Sequence, residues 1–408
     1  MSNDRGRADG EGSEESGTEA GERSGLREHL RSRRGFLAGT AGVSGLALGG
    51  SAFASGGGTE AGDAGGDDGD EDSEDDSGEG DGEREDEERE YAWKPTAYDI
   101  TSADGLRLRV WREVQGTPIE AVLFVHGATY GGVSMFDPPV DGDWDGWMDY
   151  AANANQAAYA VDIRGYGDSE RPPEFEKTPE ESDPVVPAAV AARDVRDTIE
   201  WIRSEQGYDR VHLVGLSSGT WRVRALFSEY DPEVASVTLA AGSYQQFEAP
   251  TEDLPAWSTQ EKSEFVERWR AQVPEEADPD TWIGGERYTA EEIIDAVWEG
   301  IYRSGQGLED ASEGESEGGD DGEQTILNPT NLLQDAEHDP GAITAPTLVI
   351  RGSSDPLISR EGALALYDAL DIEEHRKEYA EIAGGTHFLF LEDRRLAMYD
   401  AVRGFQRR

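Results

Sequence analysis

The chain has 408 residues, 88 acidic against 36 basic, with 50 glycines, no cysteine and a formal net charge of −52. That length holds one large or two ordinary domains, and the charge is too extreme for a single uniform globule. A surface this negative repels nucleic-acid phosphates and anionic headgroups, excluding both as partners, and the lack of cysteine excludes disulfides, thiolate zinc sites and cysteine nucleophiles.

The charge is unevenly spread: residues 1–54 carry eight acids and seven bases, residues 55–90 eighteen and two, and the remaining 318 residues 62 and 27. Only four bases are lysine (Lys94, Lys177, Lys262, Lys377). An acidic body with arginine-dominated bases suits a high-salt environment, where dense counterions screen self-repulsion.

In residues 1–54, Arg31-Ser32-Arg33-Arg34-Gly35-Phe36-Leu37 leads into nineteen uncharged residues, 36–54, ending in Ala52-Phe53-Ala54. Positive charge, an apolar stretch and small residues at a cleavage position make the layout of a secretion signal. Five glycines in that stretch make it a poor membrane anchor. The paired arginines resemble a twin-arginine signal, an address read by an export machinery, so an exported, extracellular or surface-associated protein is expected. Residues 55–90, almost entirely Gly, Asp, Glu and Ser, bury nothing and repel themselves, the composition of a disordered linker.

From Tyr91 short apolar runs alternate with helical stretches, which predicts a mostly parallel sheet flanked by helices. Two runs flank the hairpin signal Ala103-Asp104-Gly105. Buried strands are expected at 121–125, 157–161, 211–214, 234–240, 346–350 and 378–382. Helices are expected over 190–202, where Ala192, Val195, Ile199 and Ile202 share a face, and over 362–370. Residues 243–342 interrupt the rhythm and read as a helical cap between a first core part, 91–242, and a second, 343–408. Ser258 with Glu261 and Thr289 with Glu292 predict capping boxes opening two cap helices. Trp257, Trp269, Trp282 and Trp298 fall here, offering either a hydrophobic binding surface or packing for the cap itself. Residues 309–323, eight acids with no base, read as a disordered loop within it.

Gly215-Leu216-Ser217-Ser218-Gly219 is a Gly-x-Ser-x-Gly match after an apolar run and before a helix-like stretch. Gly314-Glu315-Ser316-Glu317-Gly318 matches equally but sits in the acidic loop, with no strand before it. A sharp strand-to-helix turn needs small residues around the serine so that its oxygen projects at the sheet edge. A hydroxyl is a weak nucleophile and needs a base, and the base needs an orienting acid. Among six histidines, His387 follows the last predicted strand on a glycine-rich loop, and Asp355 follows the strand before it. Ser217, Asp355 and His387 thus occur in the order nucleophile, acid, base, each just after a strand. Phe124-Val125-His126-Gly127-Ala128 ends another strand, so the amides of Ala128 and Ser218 are placed to form an oxyanion hole supported by His126 and Gly127. This constellation calls for no metal and no cofactor.

The His126-Gly127 loop, the run Asp162-Ile163-Arg164-Gly165-Tyr166-Gly167-Asp168-Ser169, the Ser217 elbow and the Asp355 and His387 loops together resemble the α/β-hydrolase superfamily, in the serine branch with a helical cap. The resemblance implies an α/β-hydrolase fold, with Ser217 as nucleophile, His387 as general base and acid, Asp355 as its partner and no chemical role for Arg164 or Asp168. It implies a small-molecule ester or related acyl substrate, cleaved through an acyl-enzyme. Serine at the elbow disfavours epoxide hydrolysis and dehalogenation, which use aspartate there. Thr220-Trp221 in place of a further glycine weakens a prolyl aminopeptidase reading. Amide hydrolysis, acyl transfer and cofactor-free haloperoxidation on the same scaffold stay open, as does a non-catalytic binder.

Overall fold

The structure, a computed structural model, describes residues 94–244, 254–308, 324–330 and 338–408. The expected export signal (1–54), acidic linker (55–90) and acidic cap loop (309–323) lie outside the described residues.

The chain opens as the hairpin its turn residues predict. β1 (Thr96–Thr101) and β2 (Arg107–Glu113) pair antiparallel around Gly105, whose φ of +94° is open to glycine but strained for other residues. The apolar runs that follow become β3 (Ala121–Val125), β4 (Ala157–Val161), β5 (Val211–Leu216) and β6 (Ser236–Ala240), each buried along its whole length. That is the signature of parallel strands covered on both faces. β7 (Trp257–Glu261) and β8 (Thr325–Pro329) form a separate antiparallel pair, and β9 (Thr347–Gly352) and β10 (Lys377–Ile382) complete the main sheet. The main sheet runs in the order β1-β2-β4-β3-β5-β6-β9-β10. β1 and β2 are antiparallel to their neighbours; every later pairing in it is parallel. β3 feeds β4 on one side and β5 feeds β6 on the other, so the strand order reverses between β3 and β5 and opens a crevice at their carboxyl ends.

Helix Ala188–Ser204 buries the expected face, Ala192, Val195, Ile199 and Ile202, and packs with helix Gly219–Glu229 against β3 and β5. Helices Trp147–Asn153 and Arg395–Gln406 pack on one another and on further strands of the sheet.

Between β6 and β9 lies an insert with helices Lys262–Arg270 and Ala290–Ile301 and the β7–β8 pair. The Thr289 capping box forms as predicted, with Thr289 Oγ1 accepting from the Glu292 amide at 3.2 Å. The Ser258 box does not. Ser258 lies inside β7, and Glu261 itself caps helix Lys262–Arg270, its amide donating to Glu264 Oε2 at 3.2 Å. Pairing with residues 325–329, more than sixty positions away, satisfies the backbone of 257–261 and overrides the local signal. Trp269 and Trp298 are fully buried around Phe265, and Trp269 stacks on Phe388 of the core with centroids 4.7 Å apart. These indoles fasten the insert to the core rather than lining a binding surface.

Candidate active site

The crevice between β3 and β5 receives both turns that the sequence marks. Ser217 follows β5 at φ +52°, in the left-handed region where a non-glycine residue is strained, and its amide donates to the Ala240 carbonyl at 2.8 Å. The flanking glycines are sterically required. A Cβ at Gly215 would stand 2.7 Å from the Gly219 carbonyl oxygen, and one at Gly219 would collide with the Val125 carbonyl. Gly127 lies so close to the elbow that a Cβ would meet Ser217 Cβ at 3.1 Å. Helix Gly219–Glu229 begins immediately after, which brings its positive N-terminal end to the serine.

His387 reaches the same point from the loop after β10. Its Nε2 is 3.0 Å from Ser217 Oγ and its Nδ1 is 2.9 Å from Asp355 Oδ2. Asp355 is buried, and its other oxygen accepts from the amides of Leu357 and Ile358 at 2.9 Å each. Arg351, at the end of β9, braces this turn by donating to the carbonyls of Asp355 and Ile358 at 3.2 and 3.0 Å. The cap holds the histidine loop too: the His387 amide donates to Gln272 Oε1 at 3.1 Å.

The loop after β3 is fixed from below and above. His126 is fully buried; its Nε2 accepts from the Ile163 amide at 3.1 Å, so Nδ1 carries the proton and donates to the Gly127 carbonyl at 2.8 Å. Burial and the neighbouring Arg222 guanidinium push its pKa well below the ordinary histidine value, so it stays neutral and serves as a strut. Arg222 donates to the His126 carbonyl at 2.7 Å. From the insert, Gln306 donates to the Thr129 carbonyl and accepts from the Gly131 amide, both at 2.6 Å. Neither the Ala128 nor the Ser218 amide has an acceptor among the described residues, so both N–H groups remain available beside Ser217.

All three elements open on one pocket whose walls include Tyr130, Met135, Leu216, Leu357, Phe388 and Phe390. Among the described residues, Arg268, from the cap, is the lining residue with a permanent charge. Every site residue expected from the sequence, Ser217, Asp355, His387, Ala128, Ser218, His126 and Gly127, is brought to this crevice. The other two motif residues are elsewhere engaged, as expected: buried Arg164 is sandwiched between Asp194 and Asp104, and the Asp168 amide donates to Asp162 Oδ2 at 3.2 Å. Sequence reasoning missed Tyr130, Arg268, Gln272, Gln306 and the buried Glu392 behind the histidine loop. No local motif marks them: Arg268, Gln272 and Gln306 reach the site through the seating of the insert, while Tyr130 and Glu392 lie in the loops after β3 and β10 and gain their partners, Arg268 and Trp269, from that insert.

Among curated proteins no relative matches. Among solved structures the chain is similar to a thermophilic esterase from Thermogutta terrifontis, at 17% identity over 76% of this chain and 98% of that one, with a TM-score of 0.48. It is similar also to an esterase from Exiguobacterium antarcticum, at 16% identity over 77% of this chain and all of that one, with a TM-score of 0.46. A family profile described as the alpha/beta hydrolase fold matches residues 120–394, a span running from the start of β3 to just past the His387 loop. With two thirds of its length under that profile, and its sheet, elbow and crevice arranged as above, the chain belongs to the α/β-hydrolase family.

Proposed function

We propose that this hydrolase cleaves carboxylic esters through a covalent acyl-enzyme on Ser217. The observation that carries the reading is the unbroken line Asp355 Oδ2–His387 Nδ1–His387 Nε2–Ser217 Oγ, at 2.9 and 3.0 Å, ending in an apolar pocket beside two amides that have no acceptor among the described residues. Ser217 Oγ attacks the ester carbonyl while His387 Nε2 takes its proton, and Asp355 holds the Nδ1–H and steadies the imidazolium. The oxyanion of the tetrahedral intermediate accepts from the Ala128 and Ser218 amides, each donor typically worth about 3 to 4 kcal/mol to the transition state. On collapse the alcohol departs with the proton from His387, leaving the acyl group on Ser217. Water then gives a proton to Nε2 and adds to the acyl carbonyl, and the second collapse returns the proton to Ser217 and frees the acid.

Ester hydrolysis fits an open, mainly apolar pocket with one nucleophile and a single acid–base. The test is Ser217→Ala assayed on short-chain esters at high salt, where turnover falls by about a thousandfold or more while the fold persists. Undiminished turnover by the folded variant would end the reading.

A further inference from the structure

Just past β3, the loop that carries the Ala128 amide makes an uncommon turn. The Tyr130 amide donates to the Ala128 carbonyl at 2.9 Å, and Thr129 between them sits at φ +75°. That is a γ-turn of the strained hand, built here on a buried β-branched residue. Such a conformation persists only where its surroundings hold it.

The core holds the two ends of the loop. Upstream, Arg222 and the His126 ring donate to the carbonyls of His126 and Gly127; downstream, the Gly132 amide donates to Asp162 Oδ1 at 2.6 Å. The strained middle is gripped from the insert. Gln306, only 1% exposed, donates to the Thr129 carbonyl and accepts from the Gly131 amide, so one side-chain amide spans the turn. Its Nε2 donates also to the Leu327 carbonyl on β8 at 3.1 Å, and two carbonyls at one end fix which way the amide faces. Gln306 is itself placed with little freedom. Gly305 before it lies at φ +81°, where a Cβ would stand 2.6 Å from the Gly167 carbonyl oxygen, and its carbonyl accepts from Arg171 Nη2 at 2.6 Å. Gly307 after it bridges to Ile326 of β8.

From this we infer that Gln306 is a positioning residue for the oxyanion hole: by holding the Thr129 turn, it aims the Ala128 N–H at the oxygen of the carbonyl that Ser217 attacks. The inference rests on the serine-esterase reading above and adds to it the source of the hole's alignment, which lies in the insert. An amide donor lowers the barrier when it is already aimed at the place where charge develops, so a relaxed turn costs rate while the ground-state pocket stays in place.

Gln306→Met keeps the length of the side chain and removes both polar ends. Assayed on p-nitrophenyl acetate at high salt, the folded variant should lose about tenfold or more in kcat with KM changed less than about threefold. Butyl trifluoromethyl ketone supplies a second readout. Ser217 Oγ adds to its carbonyl carbon, the hydroxyl proton passes to His387 Nε2, and the carbonyl electron pair becomes an oxyanion in the hole. Its Ki should rise in proportion to the fall in kcat/KM. A folded variant with unchanged kcat, or one whose kcat falls while the ketone binds as before, overturns the assignment and leaves Gln306 as packing for the insert. If Gln306→Met does not fold, Gln306→Asn, which keeps both polar ends but is too short to span them, is judged by the same criteria; failure of both to fold also overturns it. If wild type does not cleave the ester, the esterase reading itself fails, and Gln306 is judged by fluorophosphonate labelling of Ser217, whose phosphoryl oxygen needs the same hole. Labelling slowed about tenfold in the variant sustains the positioning role, and equal rates sink it. A wild type that reacts with neither the ester nor the fluorophosphonate ends both readings.

Discussion

Glu392 is fully buried behind the His387 loop, where its carboxylate accepts from the Thr386 amide at 3.0 Å, from the Thr386 hydroxyl and from the Trp269 indole at 3.4 Å. It therefore ties the residue preceding His387 to a cap helix, and positions the His387 loop. Burial pushes its pKa up to about 7 from an ordinary 4.5, against the opposing pull of these donors. The folded state thus holds a proton that the unfolded state has released between pH 4.5 and about 7, so this group's contribution to stability declines as pH rises across that window. In Glu392→Gln either amide orientation turns a donor toward a donor. The variant should lose about 1 to 3 kcal/mol of stability, flatten that part of the pH profile, and lower kcat about tenfold with KM changed less than about threefold. Melting curves across pH and steady-state kinetics check it; an unchanged kcat in a merely less stable protein would make Glu392 structural only. The residues legible without the structure are those with a strong local context. Ser217 carries its glycines, while Asp355 and His387 sit in turn-forming loops after strands. Glu392 and Arg268 have no such frame, since their meaning comes from what a distant segment places against them.

Among the elements, a cluster of carboxyls joins β2 to two helices. Glu113 on β2, Asp137 at the end of helix Gly132–Phe136 and Asp149 on helix Trp147–Asn153 have oxygens within 4.8 Å of one another, with Lys94 Nζ 2.9 Å from Asp149. Burial first, then the hydrogen bond to Asp149 and the charges of Asp137 and Asp149, raise Glu113 to about 9 from an ordinary 4.5; Lys94 opposes this. The stabilisation from its retained proton is complete below pH 4.5 and lost as pH climbs toward about 9. Wild-type melting temperature should fall over that range, and Glu113→Gln, which keeps a neutral group there, should soften the fall. Equal slopes for both proteins would show that the cluster does not hold the proton. The inner parallel strands were readable because β3 and β4 are continuous apolar runs and β5 and β9 carry apolar runs broken only by His212 or bounded by Thr347 and Arg351, all buried along their length. Helices Gly132–Phe136 and Trp147–Asn153 are short, with glycine at each N-cap and no side-chain cap, so neither period nor capping announces them. The β7–β8 pair was hidden for a different reason. Its stability comes from a partner strand across the insert, which no local window contains.

For the whole molecule, topology decides where chemistry occurs and charge decides what surrounds it. The reversal of strand order between β3 and β5 brings the loops of His126 and Ser217 to one crevice, and the parallel strands β9 and β10 deliver Asp355 and His387 to the same end. The acid excess of the body is spread over the chain, yet among the described residues that line the pocket the permanent charge is a cation, Arg268. That contrast was beyond the sequence, because it depends on how the insert sits. The central claim is that Ser217 is the nucleophile activated by His387. A fluorophosphonate applied to the native protein, followed by digestion and mass spectrometry, tests it most directly. A single adduct on Ser217, forming in step with loss of esterase activity, is the expected result. Esterase activity that persists with Ser217 fully labelled, or that is lost with Ser217 unlabelled, would contradict it.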